Sequence, residues 1–454
     1  MSDSVRDQMG PTGAGVLHTD YYQLTMLAAY RHAGLDAQAT FDLFVRRLPE
    51  ERRYLVACGV QEAIEAVETL RFSADDLAYL RSLDAFSDAF LDELGEFRFS
   101  GDIEAVREGQ TVFGAAPILR VTAPIAEAQL VETFLLNQIT FQTNAASKGA
   151  RVVEAAQGRP LLEFGLRRMH GLDAGVKIAR AMVLAGFLGT SNVAAGSRYG
   201  LRVAGTMAHS YIEAHPSEAE AFISFTDAHP GTTLLVDTYG TLEGVRRAIE
   251  LHRTRAGFQF SGIRLDSGDL AELARGSRAL LDDAGLTDVR IVVSGGLDEY
   301  AVADLVAGGA PIDAFGVGTR VGTMADRAYL DSVYKLAAYA GAGRMKLAEG
   351  KRTLPGVKQV FRTETAGQFT HDTIALAAES CSGTPLLEPA MRSGRMVDSY
   401  RSTLEEARTF SAAQRKRLPD SLRRLNAEGD AYPVRVSERL QREADDLAPR
   451  LRAR

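Results

Sequence analysis

The stretch GIRLDSGDLAELARGSRALLDDAGLTDVRIVVSGGLDEYAVADLVAGGAPIDAFGVGT (262–319) decides the fold. Three short apolar runs, GIRLDSGD (262–269), VRIVVSGG (289–296) and DAFGVGT (313–319), are separated by two stretches of helical character. Strand followed by helix followed by strand is the rhythm of a parallel α/β sheet. Each run also closes on Gly, Ser, Thr or Asp, residues suited to a ligand-facing turn rather than a core. Working outward, the same rhythm reaches back through PLLEFG (160–165), AGFLGTS (185–191), LRVAGTMAH (201–209) and TTLLVDTYG (232–240), each read here as a strand. In a barrel the carboxyl ends of such strands form the face that carries chemistry. A doubly wound open sheet also binds ligands at strand carboxyl ends, so the pattern favours the barrel without deciding closure.

The flanks are organised differently. Residues 1–15 read as a flexible lead-in, and HTDYYQLTMLAAYRHAG predicts a helix capped by Thr19 or Asp20 and running to about Gly34. Alternating Phe41, Leu43 and Val45 predict a strand within TFDLFVRRLP (40–49), followed by helices near 58–70 and 74–94 and a small antiparallel sheet. The expected organisation is an α+β N-terminal domain over 16–127, an α/β barrel over 128–335 and a C-terminal segment over 336–454. Within that last segment, KLAEGKRTLPGVKQVFR (346–362) reads as a loop and returning strand, and the Arg- and Glu-rich stretch 402–454 as solvated helices.

Bulk composition narrows the function classes. A chain of 454 residues with 46% hydrophobic and 24% charged residues supports two packed domains. A net charge of −7 argues against a general nucleic-acid or anionic-membrane surface, while leaving room for a local basic pocket. Only Cys58 and Cys381 occur, so no disulfide framework or zinc site is expected. With no apolar leader and no run of eighteen apolar residues, the expected location is the cytoplasm.

Four groups of residues could carry chemistry. Gly295, Gly296, Gly318 and Thr319 end two successive late strands, where glycine lets backbone N–H groups approach a phosphate. Arg264 and Asp266 share a strand face by the period of two, with Asp269 close behind; a cation beside a carboxylate suits a ligand with an anionic group and ribose hydroxyls. In EFGLRRMHG, Arg167 could bind a carboxylate and Phe164 could stack on a flat ring. His209, between Ala208 and Ser210, reads by itself as a structural residue or a general base. Neither GxxxxGK[ST] nor GxGxxG occurs, so a nucleotide would not bind through those loops.

Taken together, HTDYYQLTM, FDLFVRRLP, LLEFGLRRMHG, GTSNVAAG, GTMAHSY, GIRLDSGDL, GVGT and KLAEGKRTLPGVKQVFR resemble the nicotinate phosphoribosyltransferase family. The resemblance implies an irregular TIM-like α/β barrel of the type II phosphoribosyltransferase kind, its N-terminal domain completed by C-terminal segments. It implies an ATP-dependent, ligase-type enzyme that joins nicotinate to 5-phosphoribosyl 1-pyrophosphate, releasing pyrophosphate, with Mg²⁺ and a phosphorylated His209. Arg264 and Asp266 would join His209 as catalytic residues. Thr206 and Ser210 would line the nicotinate and phosphate sites with Phe164 and Arg167. Arg264, the glycines and Thr319 would hold the ribosyl donor. Tyr22 would come from a neighbouring subunit to pack the pyridine ring opposite Phe164, implying a homodimer with shared sites. Relatives that prefer nicotinamide carry an aspartate where this chain has Ser191, which favours the acid here. A nicotinamide or quinolinate phosphoribosyltransferase, a non-catalytic nucleotide sensor and an unrelated barrel lyase are the rival readings.

Overall fold

A computed structural model describes residues 15–426 and 429–453, so all but the last residue of the expected lead-in lies outside the described residues. The chain divides into two compact units, one of residues 1–144, 329–423 and 427–454, the other of residues 145–328 and 424–426.

The first unit is built on a seven-stranded sheet. In spatial order its strands are 342–343, 332–339, 38–45, 117–124, 102–105, 388–392 and 395–396. All of its ladders are antiparallel, and strands from late in the chain flank those from its beginning. Phe41, Leu43 and Val45 are buried as their alternation predicts, but Thr40 and Asp42 on the other face are buried too. The Asp42 charge is compensated by the Lys358 ammonium at 2.7 Å. A second sheet orders strands 384–385, 358–365, 368–376 and 434–436. The last of these, VRV, corrects the all-helical reading of the tail: it pairs in parallel with 372–374, between helices at Leu404–Lys416, Asp420–Arg423 and Glu438–Arg452. The expected first helix is present as α1 (Tyr21–His32). Asp20 sits at its cap position, yet its carboxylate accepts from the Thr133 hydroxyl at 2.8 Å rather than from the helix backbone.

The second unit holds the parallel sheet. Its strands are β1 (Leu161–Glu163), β2 (Gly189–Thr190), β3 (Thr232–Leu235), β4 (Phe260–Leu265), β5 (Arg290–Val293) and β6 (Ala314–Val317), in spatial order β2-β1-β6-β5-β4-β3. All five ladders are parallel. This order decides between barrel and open sheet. A doubly wound sheet reverses its strand order at a switch point, whereas here the order runs cyclically without reversal and is interrupted only between β2 and β3. The sheet is therefore a parallel half-barrel. Ile263, Leu265, Ile291, Val293, Phe315 and Val317 are essentially fully buried, as expected for parallel strands covered on both faces.

The helices follow the strands: α2 (Glu132–Ala156) leads into the unit, α3 (Leu172–Ala185) follows β1, and α4 (Val193–Tyr199), α5 (His209–Glu213) and α6 (Glu218–Ala228) lie between β2 and β3. Then come α7 (Thr241–Thr254), α8 (Leu270–Asp283), α9 (Glu299–Ala307) and the short α10 (Thr319–Gly322). One expected strand is absent. LRVAGTMAH forms only a single bridge, Val203 with Thr190, and His209 opens α5 instead of ending a strand. The physical reason is lack of cover: Arg202, Val203 and Gly205 are exposed. The segment's polar groups are also committed elsewhere, because the Thr206 hydroxyl and Met207 carbonyl accept from Arg264.

Candidate active site

Arg264 is the centre of the cluster at the strand ends. It stands one residue before the end of β4, so its side chain leaves the sheet where the turns begin. Nε donates to Ser294 Oγ at 2.8 Å, Nη1 to Thr206 Oγ1 at 3.2 Å and to the Met207 carbonyl at 3.3 Å, and Nη2 to Asp266 Oδ1 at 2.8 Å. Ser294 also donates to Asp266 Oδ1 at 2.5 Å, closing a triangle of Arg264, Asp266 and Ser294. The guanidinium carbon lies 5.9 Å from the Phe164 ring centroid, within cation–π range. Burial pushes the Asp266 carboxyl up, but hydrogen bonds from Ser294 and Arg264, with the Arg264 charge and His209 nearby, outweigh it and hold the carboxyl below its ordinary value.

Two residues past β3 complete the arrangement. Asp237 Oδ2 accepts from the Asp266 amide at 2.8 Å and from Ser267 Oγ at 2.9 Å, whereas its buried Oδ1 has no protein partner. Thr238 Oγ1 lies 3.1 Å from His209 Nδ1. The imidazole is thereby tied to the same strand ends as the guanidinium, although it begins a helix.

The glycine turns pack against this cluster. Gly295 has φ +93°, and a Cβ there would lie 2.0 Å from the Asp266 carbonyl oxygen, so no side chain fits. A Cβ on Gly316 would lie 2.6 Å from the Phe164 ring, so the bare strand lets the ring lie against β6. Gly318 sits against the Phe164 backbone, and Thr319 opens α10 immediately after it.

The remaining expected residues divide. Arg167 lies on a single 3₁₀ turn, exposed and with no hydrogen bond or ion pair among the described residues, and Ser210 is exposed on α5. Tyr22 is on α1 in the other unit, about half exposed. Asp269 is better explained as a cap: its carboxylate accepts from the Ala271 and Glu272 amides and starts α8. The residue reading missed Asp237, Thr238, Ser294 and Glu163. The signal for the first three is present, since DTYG (237–240) ends its run in the same polar way as GIRLDSGD, and Ser294 immediately precedes Gly295 in VRIVVSGG. Glu163 is hidden at the end of β1, where its side chain accepts from the Gly165 amide and the Thr190 hydroxyl and its carbonyl accepts from the Ser191 amide at 2.8 Å. Burial pushes its carboxyl up.

A parallel half-barrel with a guanidinium–carboxylate pair, an imidazole, a flat ring and glycine turns at one end defines a type II phosphoribosyltransferase architecture. The chain belongs to the nicotinate phosphoribosyltransferase family: that family's N-terminal domain matches residues 17–140, its core 160–401 and its C-terminal domain 379–443. A nicotinate phosphoribosyltransferase of Mycobacterium tuberculosis is 49% identical over 428 residues, covering 94% of this chain and 92% of the relative. One from Bacillus subtilis is 42% identical over 355 residues, covering 76% and 72%. The crystal structure of human nicotinic acid phosphoribosyltransferase superposes with a TM-score of 0.83 at 29% identity, over 95% of this chain and 99% of that one. Among the described residues no helix is long and apolar enough to cross a membrane.

Proposed function

We propose that this protein transfers the phosphoribosyl group of 5-phosphoribosyl 1-pyrophosphate to nicotinate, giving nicotinate mononucleotide and pyrophosphate, and that ATP hydrolysis is coupled to this through phosphorylated His209. The observation that carries the reading is the convergence on Arg264 of Phe164, Thr206, Asp266 and Ser294. Phe164 offers a face for the pyridine ring, and Arg264 a fixed fork for an anionic group. The turns at Gly295, Gly296, Gly318 and Thr319 would hold the 5-phosphate by backbone amides. Arg167 and Ser210, exposed and free to reorient, complete the nicotinate side, with Tyr22 of a second subunit opposite Phe164 in a homodimer.

The chemistry needs no base. The pyridine nitrogen already holds a lone pair, so the C1–N bond forms as the C1–pyrophosphate bond breaks. Asp266, held ionised by its partners, would stabilise positive charge developing at the ribose. Mg²⁺ fits the donor set. Asp237 Oδ1 is buried without a partner and Asp266 is adjacent, while no cluster of three ligands occurs among the described residues. Two carboxylates completed by substrate phosphates is an ordinary magnesium environment, in which the ion would neutralise the leaving pyrophosphate.

ATP coupling draws on Thr238. When Nδ1 of His209 donates to the Thr238 hydroxyl, the lone pair lies on Nε2. The γ-phosphoryl group of ATP then forms a P–N bond at Nε2 as its bond to ADP breaks, and water later hydrolyses the phosphoramidate. Ser191 places no carboxylate beside the strand ends, in keeping with an acid rather than an amide substrate. Cys58 and Cys381 are not joined in a disulfide, in keeping with a reducing cytoplasm.

The deciding experiment supplies nicotinate, nicotinamide or quinolinate with 5-phosphoribosyl 1-pyrophosphate and Mg²⁺, with and without ATP. Nicotinate should give the highest kcat/KM and ATP should stimulate it; preference for either other base overturns the substrate assignment. His209→Ala should lose the stimulation and the acid-labile phosphoryl label from γ-labelled ATP, and a variant that keeps both overturns the phosphohistidine.

A further inference from the structure

The second unit contains a buried charge cluster that none of the proposed chemistry uses. Lys148 on α2 is 2% exposed, and its Nζ lies 2.5 Å from Glu299 Oε2 and 3.0 Å from Asp326 Oδ1. Arg151, one turn along α2, donates from Nε to Glu299 Oε1 at 3.0 Å and from Nη2 to the Tyr300 hydroxyl at 3.0 Å. Two cations thus face two carboxylates, and Glu299 is fully buried. Such clusters are costly to desolvate and contribute little net stability over an apolar packing of the same volume, so their geometry is the more informative feature.

That geometry joins two turns. Glu299 opens α9, three residues beyond Gly296 in the turn after β5, and Asp326 lies in the segment that follows α10, beyond Gly318 and Thr319 in the turn after β6. A second tie parallels the first: Asp298 caps α9 through the Ala301 amide at 3.0 Å and accepts from Arg320 Nη1 at 3.1 Å. Arg320 lies immediately after Thr319. The two glycine turns are therefore cross-linked twice, once by a surface pair and once through the buried ammonium of Lys148.

We propose that Lys148 is a positioning residue for phosphoribosyl binding: by holding Glu299 and Asp326 together it sets the separation of the two glycine turns and so preforms their phosphate cradle. This rests on the function proposed above. The physical basis is that a cradle of backbone amides binds an oxyanion only when the amides converge, and displacing one turn by a fraction of an ångström removes that convergence. None of the brace residues is among those assigned above to nicotinate, so its loss should fall on one substrate only.

The test uses the full chain, with 5-phosphoribosyl 1-pyrophosphate titrated calorimetrically in the absence of nicotinate, alongside steady-state kinetics. Lys148→Met and Asp326→Asn should each weaken binding of this ligand roughly tenfold. Both kcat at saturating ligand and KM for nicotinate should stay within about twofold, and Lys148→Arg should restore most of the affinity. Asp326→Asn separates positioning from charge, because it leaves the cluster one unit more positive. Tighter binding in that variant would mean that only the electrostatic field matters, and the brace would be wrong. Unchanged affinity in both variants, or a parallel rise in KM for both substrates, overturns it as well. If Lys148→Met does not fold, Asp326→Asn decides, since Asp326 is partly exposed. Wild-type protein that fails to bind 5-phosphoribosyl 1-pyrophosphate removes the functional reading itself, an outcome distinct from variants that bind as the wild type does.

Discussion

Single residues at the strand ends do work that depends on shape as much as on charge. Arg264 makes four hydrogen bonds to three neighbouring segments, and a lysine would keep the charge while losing the fork. Arg264→Lys should lower kcat/KM on the order of a hundredfold, with the melting temperature moving by no more than a few degrees; steady-state kinetics beside a thermal melt checks this. Asp266 gives a pH signature whose sign follows from its depressed pKa. Its folded-state value lies below the unfolded value of about 3.9, so its stabilising contribution is present above that pH and lost as pH falls through the folded value. Wild-type protein should therefore lose stability more steeply than Asp266→Asn below about pH 4, as read by melts on both sides of that value.

At the level of elements, the decisive feature is how strands hand over to helices. Asp269 shows why a carboxylate near a site need not serve it. Four residues after Asp266, at Leu270, α8 begins, and free amides of its first turn donate to Asp269 Oδ1. Asp269→Ala should cost about 1 kcal/mol of stability, measured by denaturant unfolding, and leave kcat/KM nearly unchanged. His209 illustrates the converse. The GTMAHSY segment lacks the cover a strand needs, so it passes as an open loop under Arg264 and delivers the histidine on the first residue of α5. The loop is tied down by side-chain hydrogen bonds, not by a ladder.

For the molecule as a whole, each unit buries charge that its fold must compensate internally. In the first unit the Asp42–Lys358 pair lies between strand 38–45 and the second sheet, with the ammonium also donating to the Leu354 and Gly356 carbonyls. Lys358→Met should destabilise the protein by about 3–5 kcal/mol, because it strands a buried carboxylate; equilibrium unfolding of the variant measures this. The late strands beside 38–45 also explain why the chain's two ends form one core: strand 332–339 pairs with 38–45 along almost its whole length.

The sequence by itself determined the parallel α/β rhythm of 160–319, the polar strand ends and the family, because alternation of strand and helix and the residue types at turns are local properties. Arg264 and Asp266 were legible as a pair because a strand's period of two is local as well. Only the tertiary structure decided that the sheet runs cyclically rather than reversing, that GTMAHSY is an open loop, and that VRV near the C-terminus is a strand. Only it showed Asp237, Thr238, Ser294 and Glu163 beside the motif residues, and Lys148 between Glu299 and Asp326. Those outcomes depend on which strands become neighbours and which backbone groups find partners, and such contacts join residues tens to hundreds of positions apart in the chain.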